Sequence, residues 1–214
     1  QAAAGYLQRG RALWQHGEME DARAQLEQAL KVSQAAHLPD VEADSLYNLS
    51  CVAELQGDPL GVRNYASQAV GLYRLLNNRR GEFRALNILG VAQLRPGDAA
   101  QAYLCFDQAL QICREIGDRR GESVVLRNLG GCAADSPGGY AAARAYFEQS
   151  WQICRQIGER RGESESLTYL GLTARQMGDS QSAYEYCQRA VQIAQQVGAK
   201  YEEGLALTQL GYAW

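Results

Sequence analysis

The chain has 214 residues, 46% of them hydrophobic, and a formal net charge of −3. That balance offers no global basic field to hold a nucleic-acid backbone, and no apolar run approaches the ~20 residues that a helical membrane span needs. Ala, Leu, Gln, Glu and Arg dominate and only four prolines interrupt them, so the composition predicts an all-α protein.

From the N-terminus, the stretch GYLQRGRALWQHGE (Gly5–Glu18) is the first and most degenerate member of a series. It returns as SLYNLSCVAELQGD (Ser45–Asp58), ALNILGVAQLRPGD (Ala85–Asp98) and VLRNLGGCAADSPGG (Val125–Gly139). Two further copies follow, SLTYLGLTARQMGD (Ser166–Asp179) and ALTQLGYAW (Ala206–Trp214). The column Leu46, Leu86, Leu126, Leu167, Leu207 stands three residues before Leu49, Leu89, Leu129, Leu170, Leu210, which is one helical face. A small-residue column comes next: Gly10, Ser50, Gly90, Gly130, Gly171, Gly211. Glycine inside a helix costs roughly 1 kcal/mol against alanine. Its return at one place predicts that two helix backbones approach closely there.

A second helix is predicted between successive copies. It opens after a Gly-Asp or Gly-Glu turn at Gly17, Gly57, Gly97 and Gly178. It carries small columns at Ala22, Val62, Ala102, Ala143, Ala183 and at Ala29, Ala69, Ala109, Ser150, Ala190, with Leu26, Phe106 and Phe147 between them. That spacing describes a helix packed on both sides. Its end falls at Gly117, Gly158 and Gly198, where glycine suits a left-handed cap. Repetition is plainest in QALQICREIGDRRGES (Gln108–Ser123) and QSWQICRQIGERRGES (Gln149–Ser164), identical at twelve of sixteen positions, with Leu110 to Trp151 the one large exchange. One extra residue in Ser136–Gly139 explains the spacing of forty-one there. The expectation is eleven helices, five antiparallel pairs and an eleventh at Glu202–Trp214, in a single domain 1–214. Its approximate units are 1–38, 39–78, 79–118, 119–159, 160–199 and a half unit 200–214. Such hairpins hide their apolar faces only by stacking in single file.

The pattern resembles the tetratricopeptide repeat, through Leu86, Leu89-Gly90, Ala102, Phe106 and Ala109, and through Leu167, Leu170-Gly171, Ala183 and Ala190. The forty-residue unit, closing in I-G-D-R-R-G-E, is similar to the longer subtype of the Pins/LGN adaptors and of bacterial STAND-type ATPases and ATP-dependent transcription activators. The resemblance implies a right-handed α-solenoid whose first helices line a concave groove that holds a peptide or protein partner. On that implication the residues before each Leu-Gly step face the groove: Tyr47-Asn48, Asn87-Ile88, Arg127-Asn128, Thr168-Tyr169 and Thr208-Gln209. Where the Pins/LGN type reads N-L-G-N, this chain keeps the first asparagine at Asn48 and Asn128. It replaces the second by Cys51, Val91, Gly131 and Leu172, which implies a more apolar groove. The candidate partner-binding set is Tyr47, Asn48, Arg84, Asn87, Arg127, Asn128, Tyr169 and Arg175, because amides and guanidinium groups bond peptide backbone and carboxylates while tyrosine adds contact area. With helix axes ~8–10 Å apart the array is expected to be roughly 50 Å long, enough for about fifteen extended residues at ~3.3 Å each.

Other constellations carry less chemistry. The pairs Arg79-Arg80, Arg119-Arg120 and Arg160-Arg161 recur just before a helix, where positive charge is unfavourable. They are expected to pair with Glu82, Glu115, Glu122, Glu159 and Glu163 across neighbouring repeats rather than to form a phosphate-gripping ridge. Six cysteines show no C-x-x-C pair and no zinc-type spacing with His16 and His37, so they are expected to be reduced thiols in the core. That points to a cytoplasmic protein. No P-loop, G-x-S-x-G or H-E-x-x-H is present, and neither catalysis, nor a metal, nor a cofactor is expected.

The chain opens without methionine and stops at Trp214 inside an apolar pattern, so it is expected to be a piece of a longer protein. The leading expectation is a protein- or peptide-binding scaffold within a larger signalling protein, with no direct nucleic-acid or membrane partner. A sensor arm of an ATP-driven switch is the alternative. A structural self-association element, joined through exposed solenoid ends, is the third.

Overall fold

The computed structural model describes residues 1–94 and 98–211, so the expected turn glycine Gly97 and the end of the chain from Tyr212 to Trp214 lie outside the described residues. Among the described residues there are eleven α-helices: α1 Ala2–Gln15, α2 Met19–Ala35, α3 Pro39–Leu55, α4 Pro59–Leu75, α5 Arg79–Leu94 and α6 Ala99–Glu115. These are followed by α7 Arg119–Ala134, α8 Tyr140–Ile157, α9 Arg160–Gln176, α10 Ser180–Gln196 and α11 Lys200–Gly211. The helices divide into two compact units, Gln1–Ile112 and Cys113–Trp214, with the boundary inside α6.

In the first unit each helix from α1 to α5 packs on the next, and α1 touches α3 and α3 touches α5. In the second, α7 to α11 pack in order, with α7 against α9 and α9 against α11. Among the described residues no such contact joins α2 to α4 or α8 to α10. The first helices of the hairpins therefore form one wall of each unit and the second helices the other, and each unit is a run of all-α solenoid.

The caps are written in the sequence. Asp58, Asp118, Glu159 and Asp179 each accept a hydrogen bond from a backbone N–H three residues on, which satisfies one of the orphan donors of a helix start. At the helix ends Gly17, Gly57, Gly117, Gly158, Gly178 and Gly198 all take positive φ, as a left-handed cap requires. Two ends lack glycine and use His37 (φ 53) and Asn77 (φ 52) instead.

The glycine column corrects one expectation. At Gly10, Gly90, Gly130 and Gly171 the space opposite is filled chiefly by a side chain of the paired helix, whereas at Gly211 nothing lies within 4 Å. A Cβ on Gly10 would lie 2.7 Å from Leu26, on Gly90 2.6 Å from the Phe106 ring, and on Gly130 2.5 Å from the Phe147 ring. On Gly171 it would collide with the Cys187 sulfur. The missing Cβ is thus a socket for one bulky knob per hairpin, with a backbone carbonyl also near at Gly10 and Gly171. Ser50 is the exception that fits the rule. The knob position opposite it, by repeat register, is Ala66, and both are fully buried. The second-helix columns at Ala29, Ala69, Ala109, Ser150 and Ala190 are fully buried as well. Of the leucine column, Leu46, Leu86, Leu126 and Leu167 are buried but Leu207 is 46% exposed, since no second helix packs over it among the described residues.

The socket rule can be tested by exchange. Ala66→Phe overfills the second hairpin and should destabilise by about 1–3 kcal/mol; adding Ser50→Gly should restore most of the melting temperature. Two independent losses instead of rescue would refute the socket.

Candidate binding face on the first helices

The arginine pairs are not loop residues. They are the first two positions of α5, α7 and α9, where they meet the helix dipole unfavourably. Glu82, Glu122 and Glu163, one turn further, offset this: they are 3%, 5% and 2% exposed and each takes an arginine of its own helix, Arg79 (2.6 Å), Arg119 (2.5 Å) and Arg160 (2.6 Å). Glu82 and Glu122 take a second guanidinium from the end of the preceding helix, Arg74 (2.7 Å) and Arg114 (2.9 Å). Of the expected acids, Glu82, Glu122 and Glu163 take the first arginine of each pair, on the same helix rather than across neighbouring repeats; Arg161 reaches one repeat further, to Glu202.

On the first-helix wall of the first unit, Arg84 of α5 lies over the ring of Tyr47 of α3, 4.6 Å from its centroid. Burial, with the neighbouring Cys51 thiol, pushes the Tyr47 hydroxyl up to about 12, so Tyr47 is neutral and hydrogen-bonding at ordinary pH. Beside it Arg11 of α1 pairs with Asp44 at 2.8 Å, and the buried Tyr73 hydroxyl donates to the other Asp44 oxygen at 2.7 Å. Asn48 is buried, and its amide donates to the Asp44 carbonyl at 2.6 Å; that group is committed to its own helix. Asn87 is half-buried and engaged.

In the second unit Arg127 of α7 pairs with Glu165 of α9 at 2.7 Å, the two side chains being 13% and 26% exposed. Glu165 also lies 3.7 Å from Arg161, which is held by the buried Glu202 of α11 at 2.5 Å. Behind this row is a buried hydroxyl chain. Arg127 reaches the Ser150 hydroxyl at 3.5 Å, and Ser150 donates to the Ser123 carbonyl (2.8 Å) beside the Ser166 hydroxyl (2.9 Å). Burial pushes the Glu165 carboxyl above its ordinary range, against the opposing pull of Arg127. Tyr169 stacks on Phe147, with centroids 5.0 Å apart, and leaves 37% of its surface exposed. Asn128 and Arg175 are half-buried and engaged.

The predicted residues thus assemble differently from their sequence grouping. Tyr47 and Arg84 meet, whereas Arg127 meets Glu165, a residue the sequence reading passed over. One register rule makes both pairs: the residue after the first column leucine touches the residue two before that leucine in the next repeat. Laying adjacent repeats side by side with that offset would have exposed Glu165.

All six cysteines are free; five are buried and Cys105 is half-buried. Burial raises each thiol, so none is an activated nucleophile. Among the described residues no three histidine, cysteine or acidic side chains are placed to hold a metal ion, and no helix is long and apolar enough to cross a membrane.

Family models described as tetratricopeptide repeat match residues 3–40, 81–156 and 164–197, which are the hairpins just described. The chain is a tetratricopeptide-repeat array. Solved repeat structures superpose on it closely at low identity. The apo form of RapI does so with a TM-score of 0.84 and 16% identity, over 94% of this chain and 73% of that one. A signal transduction ATPase with a tetratricopeptide repeat sensor, from Pyrococcus horikoshii, gives 0.85 and 16%, over 99% of this chain and 32% of that one. A Rap protein complexed with competence and sporulation factor gives 0.80 and 20%, over 98% and 57%. This tetratricopeptide array therefore spans about a third of the Pyrococcus protein and just over half of that Rap protein. No curated protein matches it by sequence.

Two consequences of the Arg127–Glu165 pair can be measured. Arg127→Ala leaves a half-buried carboxylate without its closest cation and should cost about 1–3 kcal/mol in chemical unfolding. The folded Glu165 keeps its proton to a higher pH than the unfolded carboxyl, so its contribution is full below the ordinary carboxylate range and is lost as pH rises through the raised value. Glu165→Gln should therefore match the parent melting temperature at low pH and exceed it toward neutral pH.

Proposed function

We propose that this tetratricopeptide array is a non-catalytic scaffold that holds a protein or peptide partner along its first-helix wall, as one part of a larger signalling protein. The observation that carries the reading is the arrangement of that wall. In each unit it presents aromatic and charged groups, Tyr47 under Arg84 and Tyr169 on Phe147, on helices whose backs are locked by buried leucines. A rigid wall with prearranged contacts loses little entropy when a partner is ordered on it. His16 and His37 lie exposed in turns and burial raises every thiol, so the reading is a binding one.

Two neighbours lend support. One is a Rap protein in complex with a factor, and another carries its repeats as the sensor of an ATPase. The sensor arm of such a switch is the second reading, favoured by the superposition over 99% of this chain.

The test uses a displayed library of random fifteen-residue peptides selected on the intact chain. For the tightest peptide, Arg84→Ala and Tyr169→Ser should each weaken binding at least about tenfold, the loss of one charged or aromatic anchor, with helix content retained. Gln149→Ala on α8 serves as the control. Affinity that ignores both first-helix changes would sink the groove reading.

A further inference from the structure

The exchange of Leu110 for Trp151 in the nearly identical repeat segments has a structural consequence on the second-helix wall. In the two preceding hairpin steps the same thing happens: the arginine near the end of the second helix, Arg74 or Arg114, pairs with the buried glutamate eight residues on. In the next step the equivalent arginine is Arg155 and the glutamate is Glu163, and the two do not pair. Trp151 has replaced an aliphatic residue, is only half-buried, and donates its indole N–H to Glu163 at 3.3 Å. Arg189 of α10 approaches the same carboxylate oxygen at 3.7 Å and Arg160 holds the other at 2.6 Å. Arg155 is displaced onto the indole face, 5.2 Å from the ring, with Arg189 also at the ring at 5.1 Å.

The charge count at this spot differs from its counterparts. Glu82 answers two arginines and so does Glu122; Glu163 also answers two, Arg160 and Arg189, and Arg155 is left over on the indole face. Arg155 is exposed and has no carboxylate partner among the described residues. It lines a shallow depression of about 340 Å³ together with Gln152 and Gln156. The Gln156 side-chain oxygen already accepts from Arg119 at 3.1 Å, which turns its amide N–H groups into the part it can offer. A guanidinium fixed by stacking and flanked by amide donors is a receptor for a planar anion. One uncompensated cation beside the buried Glu163 suits a singly charged carboxylate better than a phosphate dianion.

We propose that Arg155, Gln152 and Gln156 form a carboxylate-binding spot on the outer wall of the second unit, which docks an acidic segment of a protein partner. It is separate from the first-helix wall and independent of the peptide reading given above.

The probe is hexaglutamate, titrated at low salt into the full chain while the Trp151 indole N–H resonance is followed by NMR. Hexaglutamine and a phosphoserine hexapeptide are run alongside. Hexaglutamate should shift that resonance saturably, with a midpoint that weakens as salt is added, and hexaglutamine should not. Arg155→Gln should weaken the midpoint at least about tenfold, the loss of one charge-assisted contact. Trp151→Leu, which recreates the Leu110 arrangement and so returns Arg155 to Glu163, should abolish binding with helix content and melting temperature retained; its binding is followed on the Arg155 side-chain N–H. No response to hexaglutamate overturns the proposal. So does binding that survives Arg155→Gln, or a phosphopeptide that binds more tightly than hexaglutamate.

Discussion

A helical hairpin of this size has two apolar faces and only one internal partner, and everything else in the chain follows from that shortage. The internal face is settled by a knob and a socket: Leu26, Phe106, Phe147 or Cys187 enters the space left by a glycine. Within each unit the external face is settled by the next hairpin, through the fully buried positions Ala29, Ala69, Ser150 and Ala190. Close packing at alanine and serine leaves no room for polar groups without partners, and serines at these seams bond backbone carbonyls across the crossing, as Ser150 does to Ser123 and Ser164 to Ala190. The walls are stiff because their backs are filled in this way. Stiffness is what a scaffold contributes to recognition, since side chains already held in place lose less freedom on binding.

Charge is arranged on the same framework. The recurring Arg-Arg-Gly-Glu segment puts two cations at a helix start, where they are unwelcome, and a buried glutamate one turn later, where it would be costly alone. Together they form a clasp that joins the end of one helix to the start of the next. The clasp fixes the angle of each step more than it adds stability, because the arginine partners are about half exposed and such pairs contribute little net energy. Where the clasp is rewired, at Trp151, an arginine is released to solvent.

Much of this was legible before any coordinates. Periodicity is a property of one chain position relative to another, and packing obeys it, so the helices, the described turn glycines and most of the buried columns could be read off the repeat, Leu207 and Gly211 at the last helix being the departures. The socket was half legible: the glycine column marks a place where bulk is forbidden, but only the facing Phe106 and Phe147 rings say what occupies it. The binding face was less legible. Asn48 matches the motif of a peptide-binding asparagine, yet it is buried and bonded to its own helix, because whether an amide points outward depends on a rotamer that the pattern does not encode. Arg127 was read as an outward contact, whereas Glu165 holds it. That pairing crosses repeats at an offset, and a reading made column by column does not look there.

The six thiols carry a consequence of their own. Cys51, Cys113, Cys132, Cys154 and Cys187 are shut inside the helix seams, scattered along both units. A thiol in such a place meets solvent only when its seam parts. The native chain thus contains its own set of clocks for breathing: the speed at which each sulfur becomes alkylated reports how often that particular joint comes ajar, without any foreign label being introduced.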